Sequence, residues 1–243
     1  MKIFCSIILT IAAISGCAKK QATIPHVVMT PKDTTKTVAV DSLNYLALGD
    51  SYTIGEAVPA TLSFPYQLAA QLHTPKLFVK KPTIIATTGW TTDNLIAAIT
   101  NSGLTGKKYD FVTLLVGVND QYQGLSQDNY KVKFQQVLNT AIDFVDGNKA
   151  HVFVLSIPDY GVTPFAGGND AVIGPQIDQF NAINRSISLA AGVNYLDITG
   201  ISRQAANDPT LIANDGLHPS GKMYGLWVGQ LWPMVVKAIS IVH

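Results

Sequence analysis

Five short apolar runs, separated by segments of helical pattern, constrain this chain more than any other feature. They lie at 44–48 (NYLAL), 83–86 (TIIA), 111–116 (FVTLLV), 152–155 (VFVL) and 195–196 (YL). Apolar runs without polar alternation belong to strands buried on both faces. Helical spacing is read at 62–72, with Pro65 tolerated in the first turn, and from Thr91 or Thr92 to about 100. It recurs at 127–146, where Tyr130, Phe134, Val137, Leu138, Ala141 and Phe144 share a face, and at 175–190 and 222–241. Strands and helices in alternation predict an α/β fold with a parallel sheet covered by helices. Apolar residues make up 47% and charged residues 14%, which excludes a disordered chain. No repeat or linker divides the body, so one domain is expected over 43–243.

The N-terminus reads differently. Met1-Lys2 is followed by fourteen nearly all apolar residues, 3–16. As a helix these span about 21 Å, short of the roughly 30 Å hydrocarbon core, so a signal peptide over 1–16 is expected rather than a membrane-spanning helix. Its end, Ile14-Ser15-Gly16-Cys17, resembles the lipobox of bacterial lipoproteins, which implies cleavage before Cys17 and lipidation of that cysteine. An ordinary secretory signal that happens to contain a cysteine is the other reading. The remaining cysteine, Cys5, would be lost with the signal, leaving a body without thiol or disulfide. Residues 17–42, rich in Thr, Lys and Pro, read as the lipidated cysteine and a flexible tether. Such a segment has a typical end-to-end distance of about 25–30 Å. Lys2 is the one charge in the signal, so the mature chain would carry 16 basic and 16 acidic side chains. That balance disfavours nucleic acid as a partner.

Polar residues cluster where strands end. Asp50-Ser51 follows the first run, Gly89 the second, Asn119-Asp120 the third and Pro158-Asp159 the fourth. Asp215-Gly216-Leu217-His218 stands before the last helix. In open α/β sheets, ligands bind beyond the carboxyl ends of the strands, so these residues define a candidate site. Of five histidines, only His218 belongs to that edge. His26 is in the tether, His73 ends a helix, His151 opens a strand at the far edge and His243 is the final residue.

Asp215, three residues upstream, can accept from one imidazole nitrogen on a tight turn while the other faces outward. An imidazole so oriented can take a proton from Ser51. Backbone N–H groups at Ser51 and Gly89, with the Asn119 amide, can hold a developing oxyanion. Each residue also has a plainer reading: Ser51 as a helix cap, Asn119 and Asp120 as turn formers, His218 as a loop residue on the core. Asp50 reads as structural, bonding loop N–H groups. Trp90, Tyr122, Tyr160 and Phe165 are candidates for an acyl or alkoxy pocket. Asp120, Asp159, Asp215 and His218 are a weaker candidate set for a divalent cation, since zinc usually takes three or four His, Cys or carboxylate ligands and only one histidine is central.

Gly49-Asp50-Ser51-Tyr52, Gly89, Gly117-Val118-Asn119-Asp120 and Asp215-Gly216-Leu217-His218 resemble, in order, the four sequence blocks of the SGNH hydrolases, or GDSL esterases. Tyr52 stands where the name-giving block has Leu. The resemblance spans 49–218. It implies a flavodoxin-like three-layer α/β/α sandwich with a five-stranded parallel sheet. It also implies a catalytic triad of Ser51, Asp215 and His218, and oxyanion donors at Ser51, Gly89 and Asn119. No metal or other cofactor is called for. Thr53 stands where a G-x-S-x-G elbow would need its second glycine, which disfavours the larger α/β-hydrolase family.

The expectation is therefore a serine hydrolase of carboxylic esters held at the bacterial cell envelope by lipid on Cys17, on the outer membrane or the periplasmic face. The ester can belong to a small molecule, a lysophospholipid or an acetylated glycan. An envelope lipoprotein that binds glycan or lipid without chemistry is the alternative, disfavoured because Ser, His and Asp are all in place.

Overall fold

The five apolar runs become five parallel strands. The computed structural model describes residues 41–74 and 77–239; the signal segment, Cys17 and most of the tether, with His26 and His243, lie outside them. In chain order the elements are β1 (Asp41–Leu43), β2 (Tyr45–Gly49), α1 (Ser51–Ile54), α2 (Phe64–Gln71), β3 (Leu77–Val79), β4 (Thr83–Ala86), α3 (Thr92–Asn101), β5 (Phe111–Leu115), α4 (Val118–Tyr122), α5 (Gln127–Asp143), β6 (Val152–Leu155), α6 (Asp170–Ala191), β7 (Asn194–Leu196), α7 (Thr199–Arg203) and α8 (Gly221–Ile239).

The main sheet runs β4-β2-β5-β6-β7, every pairing parallel. Numbered among themselves these strands have the order 2-1-3-4-5, the flavodoxin-like winding, with its reversal at β2. Leu46 pairs with both Thr83 and Val112, so β2 is held from both sides. All residues of β2, β5 and β6 are buried, as expected for strands covered on both faces. Right-handed crossovers put helices made before and after the reversal on opposite faces. Thus α2 packs on α8, while α3, α5 and α6 pack in a row.

Tyr45 stacks on Phe111 with centroids 4.4 Å apart, and Phe111 meets Phe153 edge-on. Trp227 and Tyr224 of α8 pack on Phe64 of α2. The predicted face of α5, from Tyr130 to Ala141, is buried. Each such large apolar side chain contributes about 1.5–3 kcal/mol.

Three local features differ from the sequence reading. Asp41–Leu43, whose first two residues were assigned to the tether, pairs in parallel with Leu77–Val79 as a separate two-stranded sheet. Helix α6 starts at Asp170, not 175, and carries Pro175 inside it. The predicted start at 62 is a 3₁₀ turn, Ala60–Leu62, leading into α2. Among the described residues no helix is long and apolar enough to cross a membrane.

Candidate functional site

Ser51 opens α1 directly beyond β2. Asp50 caps that helix, its Oδ1 accepting from the Tyr52 N–H at 3.0 Å, so the cap is Asp50 and not Ser51. Asp50 is fully buried, and its Oδ2 has no partner among the described residues. Burial pushes its pKa up to about 8, opposed by the Tyr52 N–H and reinforced by the charge of Asp120. The Ser51 carbonyl accepts from the N–H groups of Gly55 and Glu56, both at 3.1 Å.

Beyond β4 the chain reverses through Thr87–Trp90, closed by the Trp90 N–H donating to the Thr87 carbonyl at 3.3 Å. Gly89 has φ +82°, and Thr88 has no positive φ. That combination is a type II turn, which requires glycine at its third position. Side chains from elsewhere hold the turn. Asn119 Nδ2 donates to the Trp90 carbonyl at 3.0 Å, Gln123 Nε2 to the Gly89 carbonyl at 3.4 Å, and Thr88 Oγ1 to Glu56 Oε2.

Asn119 sits in α4, just beyond β5. Gly117 makes the corner with φ +131°, and a Cβ there would lie 2.7 Å from the Tyr130 ring, so no other residue fits. Asp120 is buried and turned away to brace α3, accepting from Thr92 N at 2.9 Å and from Thr92 Oγ1. Burial raises its pKa against the pull of those two bonds.

Asp215 and His218 share one tight turn. Asp215 Oδ1 accepts from the N–H groups of Leu217 and His218, both at 3.0 Å, and Oδ2 lies 2.5 Å from His218 Nδ1. Partial burial pushes the Asp215 pKa up, but the His218 ring and the two N–H groups outweigh it and hold the carboxylate below its usual range. With Nδ1 donating to Asp215, a neutral imidazole keeps Nε2 as its acceptor. The segment is pinned by Ala213 N–H to the His218 carbonyl and Ser220 N–H to the Leu211 carbonyl, both 2.8 Å.

Ser51, Gly89, Asn119 and His218 all line one cleft, with an empty volume of about 480 Å³ including its open part. Tyr52, Thr88, Val118 and Leu217 complete its walls. Tyr122, Tyr160 and Phe165 line it too, their rings 6.0–6.3 Å apart, and Tyr122 and Phe165 are 58% and 50% exposed. Trp90, expected in that wall, is not a lining residue; it packs half-buried against the core and offers the cleft only its carbonyl's hold on Asn119. Asp159 is also elsewhere. It is buried under Arg203 Nε at 2.8 Å and accepts from the Gly161 N–H. Asp120 and Asp159 therefore do not join the Asp215–His218 pair. Among the described residues no group of three or more His, Cys, Asp or Glu side chains is placed to hold a metal ion. Glu56, Thr88 and Gln123 were missed, because they act on the Gly89 turn from positions with no shared motif or period.

A carboxylate, an oriented imidazole, a serine and amide donors at one cleft can carry out acyl transfer. Comparison with known proteins agrees with that chemistry. No curated protein matches the chain by sequence. Among solved structures, TesA superposes with a TM-score of 0.63 at 16% identity, over 82% of this chain and 99% of that one. The esterase EstA from Pseudoalteromonas sp. gives 0.62 at 15%, over 82% and 99%. Axe2, an acetylxylan esterase from Geobacillus stearothermophilus, gives 0.61 at 17%, over 83% and 95%. At such identities these likenesses establish the fold. The activity class comes from the sequence model of the GDSL-like Lipase/Acylhydrolase family, which matches residues 47–226, and by that match this chain belongs to the family and is an ester-cleaving hydrolase.

Proposed function

We propose that the protein hydrolyses carboxylic esters through an acyl-enzyme on Ser51. His218 Nε2 takes the Ser51 proton as Oγ attacks the ester carbonyl, and returns it to the departing alkoxide. Water then attacks the acyl-enzyme with the same base. Asp215 holds the ring in the tautomer that accepts at Nε2 and stabilises the imidazolium. The N–H groups of Ser51 and Gly89 and the second amide hydrogen of Asn119, whose first is spent on Trp90, stabilise the tetrahedral oxyanion. The observation that carries this reading is the 2.5 Å Asp215–His218 pair on a ring that lines the same cleft as Ser51.

Among the described residues no Lys or Arg lines the cleft, so its immediate walls suit an uncharged acyl or alkoxy group. The exposed aromatic rings lining it suit an apolar acyl chain, as in a lysophospholipid, or the sugar ring of an acetylated glycan of the kind Axe2's description names. The N-terminal pattern supports tethering: a signal over 1–16 and lipid on Cys17, placing the body at the bacterial envelope.

The test is Ser51→Ala in the full chain. Hydrolysis of p-nitrophenyl esters should fall about 10⁴-fold or more in a folded protein, and a fluorophosphonate should label the wild type alone. Labelling of the alanine variant would remove Ser51 from its role. Wild type should partition with membranes, and Cys17→Ser should not be lipidated. A mature wild-type protein that is free of lipid by mass spectrometry would overturn the anchor.

A further inference from the structure

Of the three proposed oxyanion donors, Gly89 alone lies in an exposed turn. Thr87, Thr88 and Gly89 are exposed, and a Cβ on Gly89 would meet nothing within 4 Å. Packing therefore does not decide how the turn sits. In a type II turn the peptide joining the two central residues is turned over relative to type I, because ψ of the first central residue differs by about 150° between them. That peptide carries the Gly89 N–H. The same four residues, with the peptide turned, would aim this donor away from where it now points.

Glu56 is the residue that links the turn to the serine. Its backbone N–H donates to the Ser51 carbonyl at 3.1 Å, and its carboxylate accepts from Thr88 Oγ1, at the first central position of the turn. Ala57, next in the chain, is one of two described non-glycine residues with positive φ, at +63°. An alanine in the left-handed region is strained and persists where its surroundings over-determine it. Here it redirects the chain immediately after Glu56, between the Gly55 cap of α1 and the start of α2.

We propose that Glu56 is a positioning residue for the oxyanion hole, fixing the Gly89 N–H relative to the Ser51 N–H through its hydrogen bond from Thr88. It does not touch the reacting atoms and acts by keeping the Thr88–Gly89 peptide in its type II orientation. This rests on the oxyanion reading above.

The test is steady-state kinetics of the full chain on p-nitrophenyl acetate, with folding checked by thermal midpoint. Glu56→Ala and Thr88→Val should each lower kcat about 10-fold or more with KM changed less than about 2-fold, because a misaimed donor is missed in the transition state and not in substrate binding. Glu56→Gln, which keeps an acceptor, and Thr88→Ser, which keeps the hydroxyl, should recover most of the loss. The double variant Glu56→Ala/Thr88→Val should be no worse than either single, since both break one bond. The proposal falls if folded Glu56→Ala turns over normally, if the loss appears in KM alone, if Gln is as poor as Ala, or if the two losses multiply. Asn119→Ala, measured alongside, separates the two readings. Normal turnover there overturns the oxyanion hole itself, whereas an impaired Asn119→Ala beside a normal Glu56→Ala overturns only the role of Glu56.

Discussion

The ring of Tyr52 lies 5.3 Å from the ring of His218, tilted 56° to it. The residue after the proposed nucleophile thus packs on the proposed base, at the position where related sequences carry Leu. Tyr52 is 3% exposed, so this is a buried contact, and burial holds its phenol neutral, far above its usual pKa. Tyr52→Phe should keep the ring contact and most of the activity. Tyr52→Leu should leave the imidazole less restrained, lower kcat about 10-fold and cost about 1–3 kcal/mol of stability. Kinetics and urea unfolding on the two variants check both expectations.

Asp215→Asn keeps an oxygen for the N–H groups of Leu217 and His218, so the turn should survive. What it removes is the acceptor for His218 Nδ1. Turnover should fall about 10⁴-fold with little change in thermal midpoint. A folded variant with near-normal kcat would show that the ring needs no orienting carboxylate.

Asn119 has two duties, donating to Trp90 and lining the cleft. Asn119→Ala should lower kcat by about 10²–10³ with KM little changed. Asn119→Asp should be worse, since it sets a carboxylate against both the Trp90 carbonyl and the oxyanion. A turn-forming role alone predicts the opposite pattern, a lower thermal midpoint with normal turnover.

Asp50 makes stability depend on pH. Its pKa is about 8 when folded and about 3.8 when exposed. Between those values the unfolded chain has lost a proton that the folded one retains, so this residue's contribution to stability declines as pH rises from about 4 to about 8 and then levels off. Asp50→Asn, neutral at every pH and still able to accept from the Tyr52 N–H, should flatten that decline. Urea midpoints at pH 4, 6, 8 and 9 for both proteins measure it, and parallel curves would exclude Asp50 as the source.

Strands β2, β5 and β6 were legible because burial on both faces leaves an uninterrupted apolar run, and β4, partly buried at the sheet edge, was legible from Ile84 and Ile85. The site edge was legible because Asp50-Ser51, Gly89, Asn119 and Asp159 each come within a few residues of the end of a run. Strands β1 and β3 were not, since three residues carry no period and the pairing joins segments over thirty positions apart. The start of α6 was hidden by Pro175, which reads as a first-turn residue but lies in the second turn. Trp90 was assigned to the cleft on residue type alone, whereas the direction of its side chain depends on a turn whose neighbours, Asn119 and Gln123, come from α4 and its C-cap. The same holds for Glu56 and Thr88, 32 positions apart and joined by one hydrogen bond.

The proposed base and the proposed oxyanion donors reach the cleft by different kinds of scaffold. Ser51, Gly89 and Asn119 follow β2, β4 and β5, adjacent strands spaced at the sheet's own interval of about 4.8 Å. Asp215 and His218 ride instead on a strandless segment tied to the body by the Ile212–Pro219 bridge and a few loop bonds. Segments of that kind open locally at lower free energy than core strands. On warming or in dilute urea, amide hydrogens of 211–220 should exchange before those of β2 and β5. The protein would then pass through a state that still presents the proposed nucleophile and its oxyanion donors, while the histidine proposed to activate them has swung out of register.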